Sequence, residues 1–255
     1  MSDLQLTKHI KDIDNLSLDD IKFSVTPRQL QTSLTLSTNL EQTQDVVGKY
    51  IHEFKRVGEH DVPEIFILLA SYFEVNPELF KTRSLFVASC CQDHLDELQI
   101  HLSLGDYYYL TEMIGEPHVA ANFLKRVLNS MKEPLCTYKL YYYFRDLLEV
   151  KDDQIDKKLW KLREICAELP LINRNTFIFL IKFFQKVTAQ SEFNNMDLHK
   201  LSTVITPNIF RPEVATHNDL IYAGKLVQMF KLMIENFEYI FQKVETKGIE
   251  EVLKF

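Results

Sequence analysis

The chain has 255 residues, 46% of them apolar, and carries 29 Lys and Arg against 36 Asp and Glu, for a net charge of −7. That length fits one large domain with an extension, and the scattered acidic excess excludes a nucleic-acid binder whose affinity comes from neutralised phosphates. A protein or a small polar molecule is the expected partner. The four cysteines, Cys90, Cys91, Cys136 and Cys166, lack zinc-ligand spacing, and adjacent Cys90 and Cys91 bridge only with strain. Reduced thiols in an intracellular protein are expected.

In chain order, the first 60 residues hold LSLDD, SVTPRQ and TSLTLSTN, which are polar and turn-rich. They are read as a loose N-terminal extension whose clearer helix covers 42–56. The opening MSDLQLTKHI has no apolar signal-peptide core. With six glycines and eight prolines, and apolar residues recurring at spacings of three and four, the rest reads as all α. Pro63 starts a helix that ends near Asn76 and Pro77. Residues 93–104 place Leu95, Leu98 and Leu102 on one stripe, stopped by Gly105. Helices follow over 117–131, 140–150 and 154–169. Thr176 begins a helix whose Phe177, Leu180, Ile181, Phe184 and Val187 form a continuous apolar face, expected to be core. Its run FIFLIKFF is too short to span a bilayer and contains Lys182, so no integral membrane segment is expected and the protein reads as cytoplasmic. Helices over 196–204 and 220–241 complete the set.

Motifs of intrinsic catalysis are missing: no HExxH, CxxC, GxSxG, phosphate loop or GxGxxG occurs. The chain is not expected to be an enzyme on its own, nor to hold a metal or cofactor. His94 and His101 could share a helix face, but no third ligand is visible and ordinary surface or core histidines are favoured. The tyrosine runs at 107–109 and 141–143 read as packing and rim residues, since no basic groove accompanies them.

Residues 169–212 read LPLINRNTFIFLIKFFQKVTAQSEFNNMDLHKLSTVITPNIFRP. Leu169-Pro170, Asn173, Ser191, Asn194, Met196 and TPNIFRP resemble, in order, the signatures of the RhoGAP domain, a helical module that stimulates GTP hydrolysis by Rho and Rac GTPases. Val62-Pro63, HVAANFLKRVLNSMKEPL (118–135) and LMIENFEYIF (232–241) match its other landmarks. The resemblance implies a single all-α RhoGAP-like bundle over 61–243, with a tail over 244–255. It implies a Rho- or Rac-family GTPase as partner, with GTP and Mg belonging to that partner.

In the family, the loop before the second helix carries a phenylalanine-arginine pair whose arginine enters the partner's site and stabilises charge on the phosphoryl oxygens. Aligned without gaps, Phe86 matches the phenylalanine and Val87 falls on the arginine. A rival alignment pairs Phe80 and puts Lys81 there, at the cost of six extra residues. Neither supplies an arginine, and lysine lacks the planar fork. The family's central helix presents a lysine, here Lys125, and four residues on an arginine, here Asn129. The asparagine of its NLA triplet falls on Lys200, and the glycine of GPN on Thr206.

The GTPase-binding set implied is therefore Lys125, Asn129, Lys132, Lys200, Pro207 and Asn208, with Lys125, Lys81 or Arg83 as substitute cations. Three readings follow: an atypical GAP with weak stimulation, a binding module without it, and a helical scaffold using another face. Val87 is expected to pack inward or lie flat, in a loop remodelled along with the lost charge. Lys125 is expected to serve binding and any residual stimulation and not the fold, so that its removal leaves the melting temperature nearly unchanged.

Overall fold

The computed structural model describes residues 45–56, 61–113, 115–149 and 154–241. The tail 244–255 and residues 1–44 of the expected extension lie outside the described residues. Among the described residues the structure is helical, without β-strands, and one isolated bridge pairs Arg56 with Pro63. The order is α1 (Glu64–Val75), a 3-10 turn (Pro77–Lys81), α2 (Gln92–Ser103), α3 (Tyr109–Glu112), α4 (Pro117–Ser130), α5 (Tyr138–Leu147) and α6 (Ile155–Ala167). It continues with α7 (Leu171–Ala189), α8 (Ser191–Asn194), α9 (Leu198–Ile209), α10 (His217–Glu235) and α11 (Phe237–Phe241). No helix among the described residues is long and apolar enough to cross a membrane.

The aromatic side chains of α7 organise the core. Phe177, Leu180, Ile181 and Phe184 are all buried, as their spacing required. Phe183 packs against Phe73 of α1 at 5.6 Å and Phe80 of the 3-10 turn at 5.8 Å. Phe177 and Phe184 meet Phe230 of α10 edge-on at 6.1 and 6.4 Å, the geometry in which a ring's positive rim meets its neighbour's negative face. Tyr141 is buried and donates to Asp219 at 2.8 Å, whereas Tyr142 and Tyr143 stay exposed. All four cysteines are free thiols, with Cys136 and Cys166 buried.

Several boundaries depart from the sequence pattern for local reasons. The described part of the expected 42–56 helix is a single 3-10 turn (Ile51–Glu53). Gly48 there takes a left-handed φ of 68°, and the segment also bonds to the end of α4 and the residues just after it. Its Gly48 N–H donates to Ser130 Oγ at 3.2 Å, and Lys49 O accepts from Lys132 N–H at 2.9 Å. Helix α7 starts at Leu171, directly after Pro170, five residues before Thr176. Its polar first turn looked like loop, but Asn173 is buried and donates to Leu135 O at 3.0 Å, joining the α4–α5 connection to α7.

Helix α9 runs past Val204 through Pro207 to Ile209. In that last turn Asn208 Nδ2 donates to Val204 O at 2.8 Å, a side-chain bond added where Pro207 brings no N–H to the helix. Asp197 caps the start of α9 by accepting from Lys200 N–H at 2.8 Å. The final stretch is two helices, broken at Asn236, whose amide donates to Leu232 O at 3.0 Å. Gly105, at φ 76°, ends α2 as its sequence position required.

Because Phe184 touches both Phe86 and Phe230, Phe184→Ala is expected to cost about 3–5 kcal/mol. Urea unfolding checks this, and a loss below about 1 kcal/mol would mean that α7 does not carry the core.

Candidate functional site

Residues 82–91 connect the 3-10 turn to α2. Ser84 and Phe86 adopt left-handed backbone, with φ of 57° and 69°, a conformation costing roughly 1–2 kcal/mol for a residue with a side chain. Both the Val87 and Ala88 N–H groups donate to Ser84 O at 2.9 Å, closing a tight turn. The strain is held by what the turn does with Phe86. Its ring is fully buried, edge-on to Phe183 at 6.3 Å and Phe184 at 5.9 Å.

Three polar groups grip the loop's main chain. Ser84 N–H donates to Asn194 O at 2.7 Å. Asn122 Nδ2 of α4 donates to Ala88 O at 2.9 Å and to its own helix at His118 O. Lys125 Nζ, one turn further along α4, donates to Phe86 O at 2.5 Å. Burial pushes the Lys125 ammonium below its ordinary pKa, with the neighbouring Cys90 thiol opposing the shift.

Asn194 is itself completely buried. Its Nδ2 donates to Phe80 O and Val187 O, both at 2.8 Å, and its Oδ1 accepts from Met196 N–H at 2.7 Å. One side chain thus ties together the turn before the loop, the end of α7 and the entry to α9.

Val87 does not pack inward. It is 51% exposed, because alternation around the strained turn gives the interior to Phe86 and the surface to its neighbour. The rival Phe80 is in the core, and Lys81 beside it is paired with Glu78 at 2.7 Å and lies 5.2 Å from the Phe193 ring. Arg83 is exposed.

The remaining candidates lie on or just beyond the two helices α4 and α9, which pack against each other. Asn129 is exposed on the last turn of α4. Lys132 is held by the N-terminal segment, 3.6 Å from Glu53 and 5.1 Å above the Tyr50 ring. Lys200 bonds the carbonyl and side chain of Asn195 at 3.1 and 2.7 Å, next to the Asn194 clamp. Pro207 and Asn208 form the last turn of α9, Pro207 exposed. Arg211 joins the two helix ends. Its guanidinium donates to Met131 O, and one of its nitrogens lies 3.4 Å from Leu128 O and 3.5 Å from Asn208 O. Thr206 is buried with its hydroxyl unpartnered, so it fills space without bonding.

Sequence reading missed Asn122 and gave Asn194 no role. For Asn122 the signal was an amide-bearing residue beside the apolar stripe of its helix, a position favoured when the amide finds partners, whereas the short polar turn SEFN around Asn194 carried none. Neither histidine of that pair is part of a site among the described residues: His94 is exposed, and His101 bonds Asp106 at 2.7 Å and stacks on Tyr109. Among the described residues no cluster of acidic, histidine and cysteine side chains could hold a metal.

The all-helical fold has parallels among solved structures. Human Rho GTPase-activating protein 15 superposes with a TM-score of 0.69 at 21% identity, covering 85% of this chain and 98% of that one. In sequence, Rho GTPase-activating protein 17 of Homo sapiens is 37% identical over 129 residues, which is 51% of this chain and 14% of that protein. Rho GTPase-activating protein gacH of Dictyostelium discoideum is 26% identical over 194 residues, covering 74% of this chain and 33% of its own length. The RhoGAP domain model matches residues 63–214. The chain belongs to the RhoGAP domain family. It spans a minor part of the length of these curated relatives.

Two expectations follow. Asn194→Ala strands three main-chain partners in the interior and is expected to cost at least about 3 kcal/mol, with faster hydrogen exchange at the Met196 amide. Unchanged exchange there would refute the clamp. Lys125→Met leaves the Phe86 carbonyl unpaired, so a loss of about 1–2 kcal/mol is expected, in place of an unchanged melting temperature. The sign of its pH dependence is set by the downward shift: just below the ordinary value of 10.5 the unfolded chain binds more protons, so the parent gains on the variant as pH rises toward that value. Urea unfolding of both proteins at neutral pH and near pH 10 measures this difference.

Proposed function

We propose that the chain docks onto a Rho- or Rac-family GTPase in its GTP-bound form and stimulates hydrolysis less than arginine-bearing relatives do. The observation that carries this reading is the loop at 84–88. Its strained backbone, its buried phenylalanine and its three main-chain anchors are all in place, while Val87 stands outward at the tip. A protein using another face would gain nothing from a turn with two left-handed residues. Contacts to GTPase switches discriminate nucleotide state because the γ-phosphate orders them. An arginine delivered in trans is worth about 10³–10⁵ in rate, or roughly 4–7 kcal/mol of barrier, and valine supplies none of that charge. Asn129, Lys132, Lys200, Pro207 and Asn208 are assigned to the docking set on the family resemblance, and the working compartment is the cytoplasm, where such GTPases act.

The second reading is a binding module without stimulation, favoured by the same apolar tip. Single-turnover GTP hydrolysis across a panel of Rho-family GTPases separates the two, and pull-down with GTP- and GDP-loaded partners tests docking itself. Equal capture of both nucleotide forms would overturn the proposal. Since the scaffold under residue 87 is intact, Val87→Arg is expected to raise the stimulated rate a hundredfold or more. A rise below threefold would show that residue 87 is not presented to the nucleotide.

A further inference from the structure

The substitute cations named from sequence are not equivalent in the structure. Lys125 is consumed by the Phe86 carbonyl, and Lys81 by Glu78 and the Phe193 ring. Arg83 alone among these three has no hydrogen bond, ion pair or ring contact among the described residues, and it is exposed. Every other arginine among the described residues is engaged: Arg56 with Asp61, Arg126 with Asp96, Arg145 with Asp146, Arg211 with the end of α4, and Arg163 and Arg174 with partners of their own.

An exposed guanidinium without a partner among the described residues, in a chain with seven excess negative charges, is open to a partner outside the chain. Its position says which partner. Arg83 immediately precedes Ser84, and Val87 closes the turn by donating to Ser84 O at 2.9 Å. A turn so closed brings its first and fourth Cα atoms within about 7 Å, and one more residue adds at most about 3.8 Å. An extended arginine side chain bridges most of that gap, so its guanidinium can reach the space in front of Val87. Ser84 N–H is fixed by Asn194, which anchors the base from which the side chain extends.

We infer that Arg83 is the catalytic cation that this loop delivers to a bound GTPase, entering from the near side of the turn while Val87 makes apolar contact beside it. The inference rests on the docking reading above. In the step served, a water oxygen bonds to the γ-phosphorus and the bond from that phosphorus to the β–γ bridging oxygen breaks, its electron pair leaving on GDP. The proton of the water passes to the phosphate released. Arg83 keeps its own protons and stabilises the charge growing on the bridging and γ oxygens. Its planar fork spans two such oxygens, which an ammonium does not match.

The test uses the full chain, a panel of Rho-family GTPases, single-turnover hydrolysis, and binding to GTPase loaded either with a non-hydrolysable GTP analogue or with GDP and aluminium fluoride. Arg83→Ala is expected to return hydrolysis to within about threefold of the GTPase alone and to abolish any preference for the aluminium fluoride form. Its affinity for the GTP-analogue form should stay within threefold of the parent. Arg83→Lys should recover only a minor part of the stimulation, and as an exposed change it controls for folding, with both variants melting as the parent does. Stimulation kept at half or more in Arg83→Ala overturns the inference and leaves docking standing. So does a parent that binds the GTP form without stimulating hydrolysis. A parent that binds no GTPase of the panel overturns the docking reading and the inference with it.

Discussion

The arrangement around the loop depends on one buried amide. Asn194 sits in the interior with no water to serve it, so each of its polar atoms must find a protein partner, and the partners come from three separate stretches of chain. Its carbonyl then receives Ser84 N–H. A group in that situation has few satisfactory geometries, which is why it fixes the 3-10 turn, the end of α7 and the loop relative to one another far more tightly than apolar packing alone would. Hydrophobic contacts tolerate small slides; a fully paired amide in a low-dielectric interior does not.

The same logic explains how much could be read beforehand. Helical periodicity was legible wherever one face was apolar, as at Leu95, Leu98 and Leu102 or along Phe177, Leu180, Ile181 and Phe184. Failures came where polar residues serve the backbone. Asn173 and Arg174 looked like loop and are the buried first turn of α7; Pro207 looked like a terminus and is bridged by Asn208. Residues 45–56 had a helical stripe, yet Gly48 and the pull of Ser130 and Lys132 dock them onto α4. Whether a polar side chain faces water or a distant carbonyl is a tertiary fact with no local signature.

The candidate site was half legible for a related reason. The stretches that carried the resemblance are largely those whose side chains join one element to another: Asn173 to Leu135, Asn194 to Phe80, Arg211 to Met131. They announce the scaffold. Which cations are free is a different matter, since it depends on whether a carboxylate or carbonyl happens to lie within reach. Lys125 and Lys132 are conspicuous in the sequence and are both occupied by this chain itself, whereas Arg83 is inconspicuous and unoccupied.

Every polar anchor on the loop acts on main chain: Ser84 N–H, Phe86 O and Ala88 O. Anchors of that kind cannot sense which side chains the loop carries outward, so positions 83 and 87 can exchange residues with little consequence for folding. The loop works as a mount with a replaceable tip. In such a design the ability to accelerate a partner's chemistry can be lost, regained or moved to the neighbouring position by single substitutions, while the surface that meets the partner persists, and regulators of graded strength can arise from one scaffold without first becoming unstable.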